Sequence, residues 1–371
     1  MNKYPSRKFG MSLQQRRQRY VVVIIAILLS LVSVTVIGEF DQSVSAQTER
    51  VWNIGSRILP PPVGVSDELR EAIANTPTPD IEAAIAGVPK TLDEWRANIA
   101  RQAEGSATLA QAIAARRSIT IEQDTIAGVP VYRATPSQIS PEHSNHLFVY
   151  VHGGAFIKGG GVGSTIEGLG IADQMGIPVI SVDYRMAPDY QAPTAMNDIV
   201  SVWQEIIKDR DPNTIALGGT SAGANLTLVS TLRMKDLGLG LPGALFVGTP
   251  PIFLAKKGDM RFINEGVDRY LVTWDAEPAA AMQLYAGNMS YDDPYLSPFY
   301  GGVEGFPPTY LISGTRDMML SDTALMHRKL RRAGVEADLH IYEGHSHGDY
   351  VQYDSQEHLN ELNAFLLKHL K

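Results

Sequence analysis

Ser221 stands between two glycines in Gly219-Thr220-Ser221-Ala222-Gly223, the spacing that an activated serine hydroxyl requires at a strand-to-helix turn. Before it, Thr214-Ile215-Ala216-Leu217 reads as a short buried strand, and after it residues 226–237 read as a helix. A serine on so tight a turn has a strained backbone, and glycines two residues either side remove the clashes that side chains would bring. The turn lifts the hydroxyl above the sheet edge, where the free N–H groups of the helix N-terminus face a developing oxyanion. The same spacing recurs in Gly344-His345-Ser346-His347-Gly348. That copy also follows a strand, residues 338–342. Behind it, however, Asp349-Tyr350-Val351-Gln352 makes no small-residue helix start, and too little chain remains to supply an acid and a base. Ser221 is therefore the expected nucleophile.

A hydroxyl nucleophile needs a base, and the base needs a group that orients it. Asp317 lies just past the strand 309–313, where side chains turn into a site at the sheet edge. Its neighbour Asp322 has a structural explanation, because Ser321 reads as the cap of a helix running to Ala333 and a carboxylate suits that helix's first turn. Asp317 is thus the expected acid. His345 and His347 both follow the last strand, and position alone does not separate them as the base. A further strand, 146–151, ends in His152-Gly153-Gly154-Ala155-Phe156. Glycines there let backbone N–H groups approach a ligand oxygen, with Ala222, the residue after the serine, as the second donor. His152 reads as a hydrogen-bonding brace of this loop, and Asp183 with Arg185 as an ion pair holding another. Gly159-Gly160-Gly161-Val162-Gly163 is not a dinucleotide-binding turn: the G-x-G-x-x-G spacing fails at Ser164 and no strand immediately precedes it.

The elements that must position these groups alternate along the chain. Strands are expected around Ile119–Ile121 and Val129–Val131, joined near Ala127-Gly128, and at 146–151, 177–182, 214–217, 244–248, 309–313 and 338–342. Helices are expected at 66–75 and 81–86, from a capping box at Thr91-Leu92-Asp93-Glu94 to about 103, and at 107–117 after Gly105. Others follow at 194–208, 226–237, 321–333 and 357–370. Strands alternating with helices from residue 146 onward imply a mostly parallel sheet with helices on both faces. In such sheets the site lies at the carboxyl ends of the strands, where Gly153, Ser221, Asp317 and His347 all fall. The stretch 253–290 lacks strand signals, carries Phe262, Tyr270, Trp274 and Tyr285, and reads as a lid.

Composition sets the outer bounds. The chain has 371 residues, 44% hydrophobic and 19% charged, enough for a sizeable core. A net charge of −8, with no Lys/Arg-rich run beyond the extreme N-terminus, disfavours nucleic acid as a partner. The absence of cysteine excludes disulfides, a thiol nucleophile and thiolate metal sites. Lys3, Arg7, Lys8, Arg16, Arg17 and Arg19 precede an apolar run over 20–37, and Glu39 and Asp41 follow it. Residues 1–46 are therefore expected to be a signal peptide, cleaved after Val44-Ser45-Ala46, or an uncleaved membrane anchor with the rest of the chain exported. Pro60-Pro61-Pro62 with Gly64 marks a stiff linker. Residues 47–118 form an alanine-rich helical segment, and 119–371 the catalytic domain.

Together these stretches resemble the hormone-sensitive-lipase-like family of α/β-hydrolase esterases over roughly residues 120 to 371. Four carry the resemblance: His152-Gly153-Gly154-Ala155-Phe156; Asp183-Tyr184-Arg185-Met186-Ala187-Pro188 with Pro193; Gly219-Thr220-Ser221-Ala222-Gly223, which is similar to the Gly-Thr-Ser-Ala-Gly subgroup; and Gly344-His345-Ser346-His347-Gly348. The family pattern tyrosine-x-glycine-x-x-histidine-glycine matches Tyr342 to Gly348 and selects His347 over His345 as the base. The resemblance implies an α/β-hydrolase fold with a helical cap drawn from the N-terminal helices and the insertion near 253–290. It implies an oxyanion hole from Gly153, Gly154 or Ala155 with Ala222, a triad of Ser221, Asp317 and His347, and no metal or cofactor. The chain departs from the pattern at Ala155, which replaces a third glycine and resists positive φ; at Ala224, where glycine is common; and at Asp349, which replaces an aromatic and places a carboxylate near the histidine. The expected activity is that of a serine carboxylesterase on small to medium carboxylic esters. A lactone or amide hydrolase using the same triad, and a non-catalytic binding protein on this scaffold, are the alternatives. Pairing of the chain with a second copy is left open.

Overall fold

The computed structural model describes residues 55, 56 and 58–371. The expected signal peptide or anchor over 1–46 lies outside the described residues. The chain divides after Pro60, and every helix and strand described here belongs to the unit Pro61–Lys371. Among the described residues no helix is long and apolar enough to cross a membrane.

Among the described residues three helices come first: α1 (Asp67–Asn75), α2 (Ile81–Ala86) and α3 (Leu92–Arg117). Ser66, Asp80 and Thr91 cap them, each side-chain oxygen accepting from a backbone N–H in the first turn. The two helices expected on either side of Gly105 are one helix, α3, running through the glycine. Glycine in a helix interior costs about 1 kcal/mol. Here the reciprocal capping box of Thr91 and Glu94 and the burial of Trp95, Ala110 and Ala114 along one side offset it.

Eight strands then form one sheet among the described residues: β1 (Thr120–Ile126), β2 (Val129–Thr135), β3 (Leu147–Val151), β4 (Val179–Val182), β5 (Ile215–Thr220), β6 (Ala244–Gly248), β7 (Thr309–Gly314) and β8 (Ala337–Tyr342). Their order is β1-β2-β4-β3-β5-β6-β7-β8, with β1 and β2 antiparallel to their neighbours and the rest parallel. Between and after them run α4 (Ile166–Met175), α5 (Thr194–Ile206), α6 (Ala222–Asp236), α7 (Met260–Ile263), α8 (Glu277–Ala286), α9 (Leu320–Arg332) and α10 (Ser355–His369).

The period of two along the central strands sorts their side chains into two cores. Val149, Val151, Leu217, Leu245 and Leu311 join residues of α5, α6 and α9 on one face. Phe148, Tyr150, Ala216, Phe246 and Tyr310 join residues of α3, α4 and α10 on the other. Burial on both faces explains why these strands read as continuous apolar runs. The sheet is the mostly parallel, helix-covered one that the sequence implied. Helix α4 had no separate sequence signal, because its start follows directly on the glycine-rich 159–163 stretch.

Two local expectations change. Asp183 does not pair with Arg185. Arg185 binds the buried Asp198 of α5 through both ends of its guanidinium, while Asp183 accepts the Gly161 N–H at 2.9 Å. Helix α9 begins at Leu320 with Met319 at its cap position. Ser321 is no cap; its Oγ accepts the Met260 N–H at 3.1 Å and so fastens the neighbouring segment.

Candidate active site

The elbow forms where β5 meets α6. Ser221 takes φ +59° and ψ −122°, outside the regions an L-residue favours. Its N–H donates to the Gly248 carbonyl at 2.8 Å, which ties the strained residue to the end of β6. The flanking glycines answer a contact more severe than the one expected within the turn. A Cβ on Gly219 or on Gly223 would lie 1.9 Å from the Val151 carbonyl oxygen at the end of β3. The elbow therefore closes only because two glycines let it press on the neighbouring strand.

His347 follows β8, and its Nε2 accepts the Ser221 hydroxyl at 2.8 Å. Its Nδ1 donates to Asp317 Oδ1 at 2.9 Å. Asp317 is fully buried past the end of β7, and its remaining capacity is used: Oδ1 accepts the Met319 N–H at 2.8 Å and Oδ2 the Ser313 hydroxyl at 2.7 Å. Burial opposes a charge on the imidazole. The carboxylate of Asp317, with those of Asp268 and Asp349 beyond it, outweighs burial and holds His347 above its ordinary pKa.

The rival residues lie elsewhere. His345 is buried with Nε2 on Asp354 at 2.9 Å, and Ser346 sits in a turn where its Oγ accepts the Arg269 N–H. His152 is the brace expected: its Nδ1 bonds the Gly153 carbonyl at 2.7 Å, its ring stacks on Tyr184 at 4.1 Å, and burial pushes its pKa down to about 4. Gly153, Gly154 and Ala155 line a cavity of about 560 Å³ together with Ser221 and His347. Ala155 takes φ +53° in spite of its Cβ, following Gly154 at +107°. Ala222 is the first residue of α6, so its N–H has no acceptor within the helix. Asp349 does not enter the cavity wall; it is buried, accepts the Ser346 N–H at 2.7 Å and pairs with Arg269.

Strand ends supply one side of the cavity. Ala83, Ala84 and Val88 in and after α2, and Leu271, Trp274 and Met282 from the stretch between β6 and β7, supply much of the other. Sequence reasoning missed several groups that hold this stretch in place. Arg261 and Asp322 form a fully buried ion pair at 2.7 Å, with the guanidinium 3.9 Å from the Trp274 ring centroid. Asn264 Nδ2 donates to the Asp317 carbonyl at 2.9 Å, and Asp268 accepts the Met318 N–H at 3.1 Å. Glu167, on α4, accepts the Thr220 hydroxyl at 2.7 Å beside the elbow and also bonds Tyr150; burial pushes its carboxyl up to about 7. None of these has a local motif. A lone acidic residue amid apolar positions, as at Glu167 and Asp322, is the one signal that could have drawn attention to two of them.

A strand-borne serine in a strained turn, a histidine on its hydroxyl and a buried aspartate behind that histidine coincide with the match of residues 148–351 to the model of the α/β-hydrolase fold. The chain belongs to the α/β-hydrolase family. A crystal structure of esterase E25 is 46% identical, superposes with a TM-score of 0.84, and matches 87% of this chain and all of that one. Among curated proteins, an esterase of Acinetobacter venetianus is 28% identical over 202 residues, 54% of this chain and 66% of its own length. A putative acetyl-hydrolase LipR of Mycobacterium tuberculosis is 27% identical over 277 residues, 70% of this chain and 86% of its own. The resemblance to α/β-hydrolase esterases drawn from the four sequence stretches holds, and this α/β hydrolase is a carboxylic ester hydrolase.

Proposed function

We propose that this esterase is a serine hydrolase of small to medium carboxylic esters that works through an acyl-enzyme on Ser221. The observation that carries the reading is the unbroken line Asp317–His347–Ser221, at 2.9 and 2.8 Å, opening on the cavity. Ser221 Oγ attacks the ester carbonyl while its proton passes to His347 Nε2. Asp317 holds the tautomer with the proton on Nδ1 and balances the imidazolium. The N–H groups of Ala222 and of Gly153, Gly154 or Ala155 receive the oxyanion. His347 then protonates the leaving alcohol, and water, activated the same way, frees the acid. A cavity of about 560 Å³ suits a ligand of modest size. The helices before β1 and the stretch between β6 and β7 act as its cap.

The test is hydrolysis of p-nitrophenyl acetate, butyrate, octanoate and palmitate by the full chain. Turnover of the shorter esters is expected, with a fall in kcat of about 10⁴ to 10⁶ in Ser221→Ala and fluorophosphonate labelling of wild type alone. A normal rate in Ser221→Ala overturns the reading. The proposal extends to location: the basic residues, apolar run and acidic flank at the N-terminus support export of the domain, secreted, periplasmic or anchored outside. Fractionation of cells that separates the activity with cytoplasmic markers would refute it.

A further inference from the structure

The stretch between β6 and β7 sends a second carboxylate to the triad. Asp268 is fully buried, and one of its oxygens, one of Asp317 and a ring nitrogen of His347 all lie within 4.8 Å of one another. Backbone holds it there. Oδ1 accepts from the N–H groups of Tyr270 at 3.0 Å and Leu271 at 3.1 Å, and Oδ2 from Met318, the residue after Asp317. Three N–H donors favour the ionised form, yet a carboxylate taken this far from water is costly without a positive charge to answer it. The other charges nearby are already matched: Asp349 by Arg269, and Asp322 by Arg261. Beside His347 that leaves Asp317, which is hydrogen-bonded to it, and Asp268, which is not. A cation forms beside both carboxylates when His347 takes the Ser221 proton.

We propose that Asp268 is a positioning residue of the catalytic site, one that stabilises the His347 imidazolium together with Asp317 and holds the Asp317 loop through Met318. The inference rests on the serine-hydrolase reading. Asp268 takes no proton in the step: the proton moves from Ser221 Oγ to His347 Nε2, and the Nδ1 proton stays on the ring. The charges facing the imidazole agree in direction, since Asp317, Asp268 and Asp349 all raise His347 against the effect of burial. Burial and the charge of Asp317 together push Asp268 itself up to about 6.

The experiment is the pH dependence of kcat/KM for p-nitrophenyl acetate, read on the full-length wild type, Asp268→Asn and Asp268→Glu. Alongside it, the midpoint at which the downfield NMR resonance of the His347 Nδ1 proton titrates is followed. The wild-type acid limb should lie above the ordinary histidine value of about 6.5. In Asp268→Asn the limb and the resonance midpoint should both move down by about one pH unit, because the imidazolium has lost a negative neighbour. That loss should also lower the plateau kcat about tenfold. Asp268→Glu, which keeps the charge, should keep the limb at the wild-type position. A folded Asp268→Asn with an unmoved limb, or a wild-type limb at or below about 6.5, overturns the proposal; the second outcome needs no variant to fold. Fluorophosphonate labelling separates the two readings. An unlabelled wild type removes the serine mechanism, whereas a labelled enzyme with an unmoved limb removes only the role of Asp268.

Discussion

The two sides of the cavity are held by different kinds of contact. On the strand side, the elbow is fixed by backbone against backbone: Gly219 and Gly223 on the Val151 carbonyl, Gly153 on the Thr220 carbonyl, and the Ser221 N–H on Gly248. On the other side, the stretch between β6 and β7 is held by side chains reaching far along the chain, Arg261 to Asp322, Asn264 to the Asp317 carbonyl and Asp268 to Met318. Backbone contacts leave no room for adjustment and set the position of the reacting atoms. Side-chain contacts fasten a cover whose inner surface can vary without disturbing them. The first side should therefore govern kcat, and the second stability and choice of substrate, with Asp268 as the exception that crosses over.

The sharpest way to break this division is Gly223→Ala. The new Cβ would have to push the end of β3 away from the elbow, carrying the Gly153 loop with it. Overpacking of this kind costs about 3 kcal/mol, and a displacement of about 1 Å near the chemistry costs about 100-fold in rate. Urea unfolding should show the first and p-nitrophenyl butyrate turnover at least the second. A stable variant with wild-type kcat would mean that the elbow tolerates slack and that the contrast is false.

Arg261→Met probes the cover. It leaves Asp322 buried without its partner, for a loss of about 3–5 kcal/mol, read as a lower urea midpoint. Burial pushes Asp322 up to about 6 even against the pull of Arg261 and two N–H donors; without Arg261 it rises further, so protonation of the orphan carboxyl limits the loss, and limits it most at acid pH. The double variant Arg261→Met with Asp322→Leu should recover much of the stability, since an apolar pair of similar volume replaces a desolvated ion pair well. Enzyme that remains folded should keep kcat within a few-fold of wild type. If kcat falls with stability, this stretch sets the reacting geometry as firmly as the elbow does.

The same difference decides what could be read from the sequence. The elbow, the glycine loop and the strand ends were legible because their constraints fall within a few residues: a glycine two positions from a serine, an apolar run ending at a functional group. His347 was separated from His345 by the family pattern, and the structure places it on Ser221 while His345 turns to Asp354. Contacts across long separations left no local trace. The acid nearest to Arg185 in sequence is Asp183, yet its partner lies thirteen residues on at Asp198. Ser321 and Asp322 sit where a helix start offers the roles of cap and dipole partner, yet both bind the stretch that packs on them, at Met260 and Arg261. Gly105 reads as a break because propensity is local, whereas the packing that carries α3 through it is not.

The smallest expected effect tests whether the cover tunes the substrate without touching the chemistry. Ala84 lies on α2 and lines the cavity, with its side chain partly open. Ala84→Phe places a ring in space that a longer acyl chain would occupy, and it breaks no buried contact. For p-nitrophenyl octanoate, kcat/KM should fall about tenfold, the scale on which an apolar pocket discriminates by one or two methylenes. For the acetate it should stay close to wild type, and the urea midpoint should not move. The ratio of the two substrates is the informative quantity, because it cancels any change in the amount of active enzyme. An unchanged ratio with both rates lowered would place α2 among the elements that set the reacting geometry. A changed ratio with an intact acetate rate would assign α2 to the recognition of the acyl chain.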